Sequence, residues 1–309
     1  MKLSTESYKG VRDFYPEDMA VQNYIFDTWK KVSHSFGYVE YSASILEPAE
    51  LYKSKTSEEI VNEQMFTFKD RGDREVALRP EMTPSLARMV AGRRKSLKFP
   101  LRWFSIPNVF RYERPQRGRK REHWQLNCDI MGIADFEAEV EIISLAHAIM
   151  KEFGAKDDDF VIKINDRKLL QEVIGNKLKN KDDFQKALRL FDKKDKISEE
   201  EFKKSWAEIS NGPFDTDIQV SQTINDIIEK LNLPNVVYDP VITRGFDYYT
   251  GMVFEVFDTD RENLRSLFGG GRYDNLLEIF GVEPVPTVGF GMGDITIRDF
   301  LETHKLRTG

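Results

Sequence analysis

The chain has 309 residues and a mass of 36.0 kDa, enough for about two domains of ordinary size. Hydrophobic residues make up 40%, aromatic 12% and charged 32%, with 19 glycines and 12 prolines, which excludes fibrous and wholly disordered chains. Forty-six basic against fifty-two acidic side chains leave a formal charge of −6, so this is no general polycation and any contact with nucleic acid must be local. A single cysteine, Cys128, excludes an intramolecular disulfide, and no CxxC pair offers a zinc site. The amino-terminal MKLSTESYKGVRDFYPED lacks an apolar signal core and no run of about 18 apolar residues follows, so the expectation is a cytoplasmic protein with no membrane segment.

In chain order, Pro16-Glu17-Asp18 ahead of Val21, Ile25, Val32 and Phe36, with Gly37 beyond, predicts a helix with acids in its first turn and glycine past its end. Thr83-Pro84 predicts an N-cap and first helical position for SLARMVAG, with Gly92 as the stop. LRWFSI, NVFRYE and HWQLNCDIMG then alternate with period two and predict strands. Asp135 caps a helical pattern of Phe136, Val140, Ile143 and Met150 that ends at Gly154, and FVIKIN predicts another strand. From about Asp166 to Leu233 the chain is rich in helix formers and charge, which predicts a helical insertion. Strand signals return in VVYDP, RGFDYYTGMVFEVFD and VPTVGFGMG. The expected fold class is α+β, a mostly antiparallel sheet of about six strands flanked by helices. Its division is a catalytic first part over 1–165, the insertion over 166–233, and a catalytic second part over 234–309.

The densest charge lies in FRYERPQRGRKREHWQ, residues 110–125, which reads as a strand, a basic turn around Pro115 and Gly118, and a second strand. Basic residues alone fit a solvated hairpin tip. They also fit a phosphate site, because the planar fork of an arginine matches phosphate oxygens and Arg111 stands at a strand end. No histidine pair has HExxH spacing, so no metal site is expected; His34, His123, His147 and His304 read as structural or surface residues, and Cys128 as a small buried one.

This segment resembles motif 2 of the class II aminoacyl-tRNA synthetases, in their histidyl branch. Arg79-Pro80-Glu81-Met82-Thr83 resembles the RPE-x-T box of that family, and Arg244-Gly245-Phe246-Asp247-Tyr248-Tyr249-Thr250-Gly251 its RG-x-DYY-x-G signature. Gly269-Gly270-Gly271-Arg272-Tyr273-Asp274 resembles its second histidine-specific box, although three glycines alone read as a tight turn. The likeness runs in family order from Gly10-Val11-Arg12-Asp13 to Gly293. It implies activation of histidine with ATP as a substrate, Mg2+ accompanying ATP, histidine tRNA as acceptor, and a homodimer formed through motif 1. The carboxylate of the amino acid attacks the α-phosphorus, so positioning and charge matter and no protein nucleophile is required.

Residue by residue, the resemblance implies Arg111 and Arg244 as catalytic arginines on either side of the α-phosphate. Glu81, Thr83 and Gln125 are implied at the ammonium and carboxylate groups of histidine, and Asp129 and Tyr249 at its imidazole, with Tyr248 in support. Ordinary alternation would instead put one of the two tyrosines in the core and one outside. Arg111, Glu113 and Arg298 are implied for ATP, and Arg114, Gln116 and Arg119 for the acceptor end of tRNA. Three departures stand out: Ser44 where motif 1 usually has proline, Asp129 where glutamate is common, and Thr296 where motif 3 carries arginine, leaving Arg298 as the nearest charge. The chain reaches Gly309 soon after motif 3, which implies a catalytic core without the C-terminal anticodon-binding domain of the family. A competing implication is the regulatory, histidine-binding paralogue of ATP phosphoribosyltransferase, which shares the fold and lacks ligase activity; another is an RNA-binding pseudoenzyme. Arg111, Glu81, Gln125, Arg244 and the DYY box together favour the ligase, since a sensor needs no two arginines at one phosphorus.

Overall fold

The computed structural model describes residues 3–53, 60–180, 183–192, 194, 197–213, 219–243, 248–263 and 265–309. The first half contains α1 (Pro16–Ser35), β1 (Val39–Glu40), β2 (Leu46–Pro48), α2 (Glu50–Lys53), β3 (Phe66–Lys69), β4 (Glu75–Leu78) and α3 (Thr83–Arg93). There follow β5 (Leu101–Ser105), β6 (Asn108–Phe110), β7 (Glu122–Met131), α4 (Glu137–Glu152) and β8 (Phe160–Asp166). Four helices come next, α5 (Arg167–Gly175), α6 (Asp183–Asp192), α7 (Glu199–Ile209) and α8 (Gln222–Leu231). The chain finishes with β9 (Val236–Tyr238), β10 (Met252–Asp258), β11 (Ser266–Arg272), β12 (Thr287–Gly293) and α9 (Asp294–Thr303).

Among the described residues the main sheet has nine strands, in the order β1-β5-β7-β12-β11-β10-β8-β9, with β6 paired to the start of β7. It is antiparallel except for the outer pairs β1–β5 and β8–β9. The sheet is wider than about six strands because β1 is only two residues long, too short for alternation to mark it, and β11 carries the three glycines that read as a turn. A small sheet β2-β4-β3 lies apart over Ala49, Tyr52 and Ala77.

One face of the main sheet is apolar. Leu126, Cys128 and Ile130 of β7, Val288, Phe290 and Met292 of β12, and Phe254 and Val256 of β10 pack under α1, α4, α8 and α9 through Ile25, Trp29, Ile142, Ile149, Ile224, Ile227 and Phe300. Helices α5–α7 enclose their own cluster around Leu170, Leu188, Phe191, Phe202 and Trp206, whereas Ile224, Ile227 and Leu231 of α8 belong to the main core.

Two turn signals act differently from expectation. Gly92 lies inside α3, which runs on to Arg93, and Met82 occupies the N-cap, so Thr83 is already helical. Gly269-Gly270-Gly271 is the middle of β11 rather than a turn. A Cβ on Gly270 would stand 2.0 Å from the Gly289 carbonyl oxygen and 2.6 Å from the Phe290 Cβ, so close approach of β12 is what excludes a side chain there. The expected helix stop at Gly154 does hold, with φ of 92°.

The two glycines predict opposite outcomes. Gly270→Ala should lower stability by about 1–3 kcal/mol or more, because backbone must move. Gly92→Ala, at an open helical position with nothing within 4 Å, should raise it by about 0.5–1 kcal/mol. Urea unfolding of both variants checks the pair; equal effects would refute the packing of β11 against β12.

Candidate active site

The face of β7 opposite the core carries His123, Gln125, Asn127 and Asp129, the residues that alternate with Leu126, Cys128 and Ile130. Across the sheet Asp129 lies opposite Gly289, which pairs with Gly271; Asn127 lies opposite Gly291, which pairs with Gly269; and Gln125 lies opposite Gly293. Two neighbouring strands thus offer a floor of backbone on the side that faces the polar residues. The β7 side chains lean over it: a Cβ at Gly289 would stand 2.1 Å from Asp129 Oδ1, and one at Gly291 only 1.9 Å from Gln125 Nε2. Glycine at these positions makes room for polar groups at sheet level.

Asp129 is 4% exposed and accepts a hydrogen bond from the Tyr273 hydroxyl. Burial pushes its carboxyl up to about 7, with the Tyr273 bond pulling the other way. Burial, reinforced by Asp129, keeps the Tyr273 phenol protonated and therefore a donor. Tyr273 belongs to an aromatic group with Tyr248 and Tyr249, whose ring centroids lie 5.4 and 6.3 Å from its own. Both tyrosines are buried, against the one-in, one-out alternation, because they precede β10 and are not part of a strand. Tyr249 packs on Gly271, and the Tyr248 hydroxyl donates to Glu81 Oε2 at 3.2 Å.

Glu81, 2% exposed, sits just before α3 with Thr83 beside it at the first turn. Its neighbour Arg79 is a clamp, donating to the carbonyls of Asn108 and Ala43 at 2.7 and 2.9 Å and to Asn108 Oδ1 at 3.0 Å. Arg111 Nε donates to the Pro80 carbonyl at 2.9 Å, which ties the strand-end arginine to the same segment. The structure therefore brings Glu81, Arg111, Gln125, Asp129, Tyr248 and Tyr249 to one side of the sheet, with Thr83 next to Glu81 in the chain at the start of α3. Arg244 lies outside the described residues; the segment leading to it is pinned by Asn165, whose Nδ2 donates to the carbonyls of Pro240 and Ile242 at 3.0 and 2.9 Å.

Beyond Arg111 the hairpin closes through paired backbone bonds between Gln116 and Arg119, with Gly118 at φ 73°. Arg114, Gln116 and Arg119 are exposed, and Arg119 pairs with Glu113 at 3.2 Å. Arg121 is instead buried, its guanidinium 3.8 Å from the Tyr112 ring centroid and bonded to the Tyr8 hydroxyl. Arg298 does not join the group. It pairs with Glu302 at 2.9 Å and Asp18 of α1 at 3.5 Å, about 200° around α9 from Thr296. Thr296 Oγ1 donates to the Leu267 carbonyl at 2.6 Å and faces the hairpin near Gly118. His123 shares the polar face; burial, then Arg111 and Arg12, push its imidazole down to about 3, so it is neutral.

Asn127 was not singled out from sequence, and Tyr273 was named only as part of the second histidine-specific box, with no role of its own. Strict alternation along Gln125-Leu126-Asn127-Cys128-Asp129 would have placed Asn127 with its neighbours, whereas the reach of Tyr273 to Asp129 depends on strand order, which no local pattern carries.

The sequence profile described as histidyl-tRNA synthetase matches residues 10–212 and 198–294. The histidine–tRNA ligase of Leptospira biflexa is 45% identical over 331 aligned positions, covering 99% of this chain and 76% of the relative. The chloroplastic/mitochondrial histidine–tRNA ligase of Arabidopsis thaliana is 39% identical, covering 99% and 68%. In fold, histidyl-tRNA synthetase from Nostoc superposes with a TM-score of 0.82 at 21% identity, over 100% of this chain and 78% of that one. A Bacillus halodurans protein described as an ATP phosphoribosyltransferase regulatory subunit/histidyl-tRNA synthetase gives 0.81 at 23% identity, over 96% and 83%.

The raised carboxyl predicts a pH signature. With Asp129 near 7 when folded and near 3.8 when unfolded, the folded state holds a proton between those values that the unfolded state has lost. Stability from this group is therefore full below about pH 4, falls by up to about 1.4 kcal/mol per pH unit on the way to 7, and is level above. Asp129→Asn removes the titration, so its stability relative to wild type should grow from pH 4.5 to 7 and then stay constant. Urea unfolding of both proteins at pH 4.5, 7 and 8.5 measures it, and parallel pH curves would contradict the burial of an ionisable Asp129.

Proposed function

Because the chain belongs to the histidyl-tRNA synthetase family, we propose that it is a histidine–tRNA ligase: it joins histidine to ATP as histidyl-adenylate and transfers histidine to the 3′ end of histidine tRNA. The observation that carries this reading is the convergence of Glu81, Gln125 and Asp129 with the strand-end Arg111 around a floor of glycines. A small zwitterion with a polar ring needs an anion for its ammonium group, an acceptor for a ring N–H, and little bulk beneath it. Asp129 and Tyr249 take the imidazole, with Tyr273 orienting the carboxylate; Glu81, Thr83 and Gln125 take the ammonium and carboxylate groups, and Tyr248 holds Glu81.

In the first step an oxygen of the histidine carboxylate attacks the α-phosphorus and the bond to pyrophosphate breaks. Arg111 and Arg244 stabilise the charge that grows on the phosphoryl oxygens, and Glu113 borders the nucleotide. Arg298 stays with the packing of α9 on α1 in this reading, because its guanidinium is already matched by Asp18 and Glu302. Magnesium arrives with ATP, bound chiefly by phosphate and water. In the second step a ribose hydroxyl of tRNA attacks the activated carbonyl and AMP leaves. Arg114, Gln116 and Arg119, exposed on the hairpin tip, meet the acceptor end.

The same reading divides the chain into a catalytic unit over 1–165 and 234–309 with a helical insertion over 166–233, whose last helix, α8, packs into the core of the catalytic unit. It also makes the protein a cytoplasmic homodimer joined through the motif 1 region, where Ile45, Leu46 and Phe68 expose apolar surface. No helix among the described residues is long and apolar enough to cross a membrane.

Histidine-dependent exchange of pyrophosphate into ATP tests the proposal. Wild type should exchange, and Arg111→Ala should lose on the order of a hundredfold or more while histidine affinity changes little. Histidine binding by the wild type without exchange would identify a regulatory paralogue instead. For the second step, Arg114→Ala should slow transfer to tRNA and shallow its logarithmic salt dependence by about one, with pyrophosphate exchange unchanged. A salt slope equal to wild type would remove Arg114 from the RNA surface.

A further inference from the structure

Asn127 lies between the two substrate readers of β7 on the polar face and is 5% exposed. Its amide makes two bonds to the same neighbour: Nδ2 donates to the Gln125 backbone carbonyl at 3.0 Å, and Oδ1 accepts from Gln125 Nε2 at 2.9 Å. A carbonyl oxygen can only accept, so the first bond requires the NH2 end of Asn127 on that side and leaves Oδ1 on the other. Oδ1 can only accept in turn, so it can be met by Gln125 Nε2 and not by Oε1. One backbone carbonyl thus sets the orientation of both amides. The Gln125 amide fits only because Gly291 lies beneath it, where a Cβ would come within 1.9 Å of Nε2 and 3.5 Å of Asn127 Oδ1. Among the described residues no donor bonds Gln125 Oε1, which remains available on a partly buried side chain.

We propose that Asn127 is a positioning residue that fixes which end of the Gln125 amide meets the substrate, presenting Oε1 as acceptor to the α-ammonium group of histidine and holding Nε2 away from it. The assignment rests on the reading of the site given above and adds how the site distinguishes an ammonium group from a neutral or absent one. A freely turning Gln125 would offer an NH2 group to a cation in part of its population and would have to be reoriented on binding.

Calorimetric titration with histidine and with 3-(imidazol-4-yl)propionate, which keeps the ring and carboxylate but lacks the amino group, tests it. Asn127→Ala should weaken histidine by about two- to tenfold and leave the deamino compound within about twofold of wild type. Asn127→Asp, whose carboxylate can still only accept from Nε2, should keep the preference for histidine at or above the wild-type ratio. Equal weakening of both ligands by Asn127→Ala, no weakening of either, or a reduced ratio in Asn127→Asp would overturn the assignment. Wild-type protein that binds histidine while Asn127→Ala is indifferent refutes the role of Asn127 alone; wild-type protein that binds neither ligand refutes the reading of the site and this role with it.

Discussion

A carboxyl group held at sheet level, with backbone instead of side chain beneath it, is the constraint on which the site depends. Asp129 reaches over Gly289 because that position has no Cβ, and Tyr273 reaches Asp129 because β11 ends beside it. Remove the glycine and the carboxyl must rise or turn. Remove the tyrosine and a buried acid loses the donor that favours its ionised form. Gln125 repeats the arrangement over Gly291, two residues along β12 from Gly289.

This polar face is steady because the opposite face is a close-packed core. Side chains alternate strictly through β7 and β12, so each polar or glycine position on one side is flanked by Leu126, Cys128, Val288, Phe290 or Met292 on the other. The strand that leads to Tyr273 is anchored further by Arg272, its last residue. Its guanidinium pairs with Glu139 of α4 and bonds the carbonyls of Ile133 and Asp135, with both partners buried. Breaking one side of such a buried pair typically costs about 3–5 kcal/mol, so Arg272 is a structural anchor beside the site. Asp294 does similar work at the start of α9, gathering Arg12, Gln22 and the Trp124 amide and so fastening the N-terminal segment to β12 and β7.

Much of this was legible in the sequence, and the limits have physical causes. Alternation along HWQLNCDIMG marks both the strand and the side on which Gln125 and Asp129 lie, and the proline-initiated helices begin where their first turns predict, to within a residue. Gly269-Gly270-Gly271 misleads because local sequence cannot say whether glycine serves a turn or the approach of a neighbouring strand; only the pairing with Gly289 and Gly291 decides. The surroundings of Arg298 were hidden for a related reason. Two residues along a helix turn a side chain about 200°, so proximity in sequence to Thr296 puts it on another face, where Asp18 from a distant helix meets it. The role of Asn127 was hidden because it acts on a neighbour of its own strand, through hydrogen-bond directionality that no motif records.

The most direct test of the central constraint is the affinity for histidine of Tyr273→Phe across pH 6–9, measured by calorimetry beside wild type. If Tyr273 holds and helps ionise the acid that reads the imidazole, the variant should bind about 1–3 kcal/mol more weakly at pH 7, with the pH midpoint of binding moved upward and part of the loss recovered toward pH 9. Binding equal to wild type at every pH would show that Asp129 needs no such support and that the imidazole is read elsewhere.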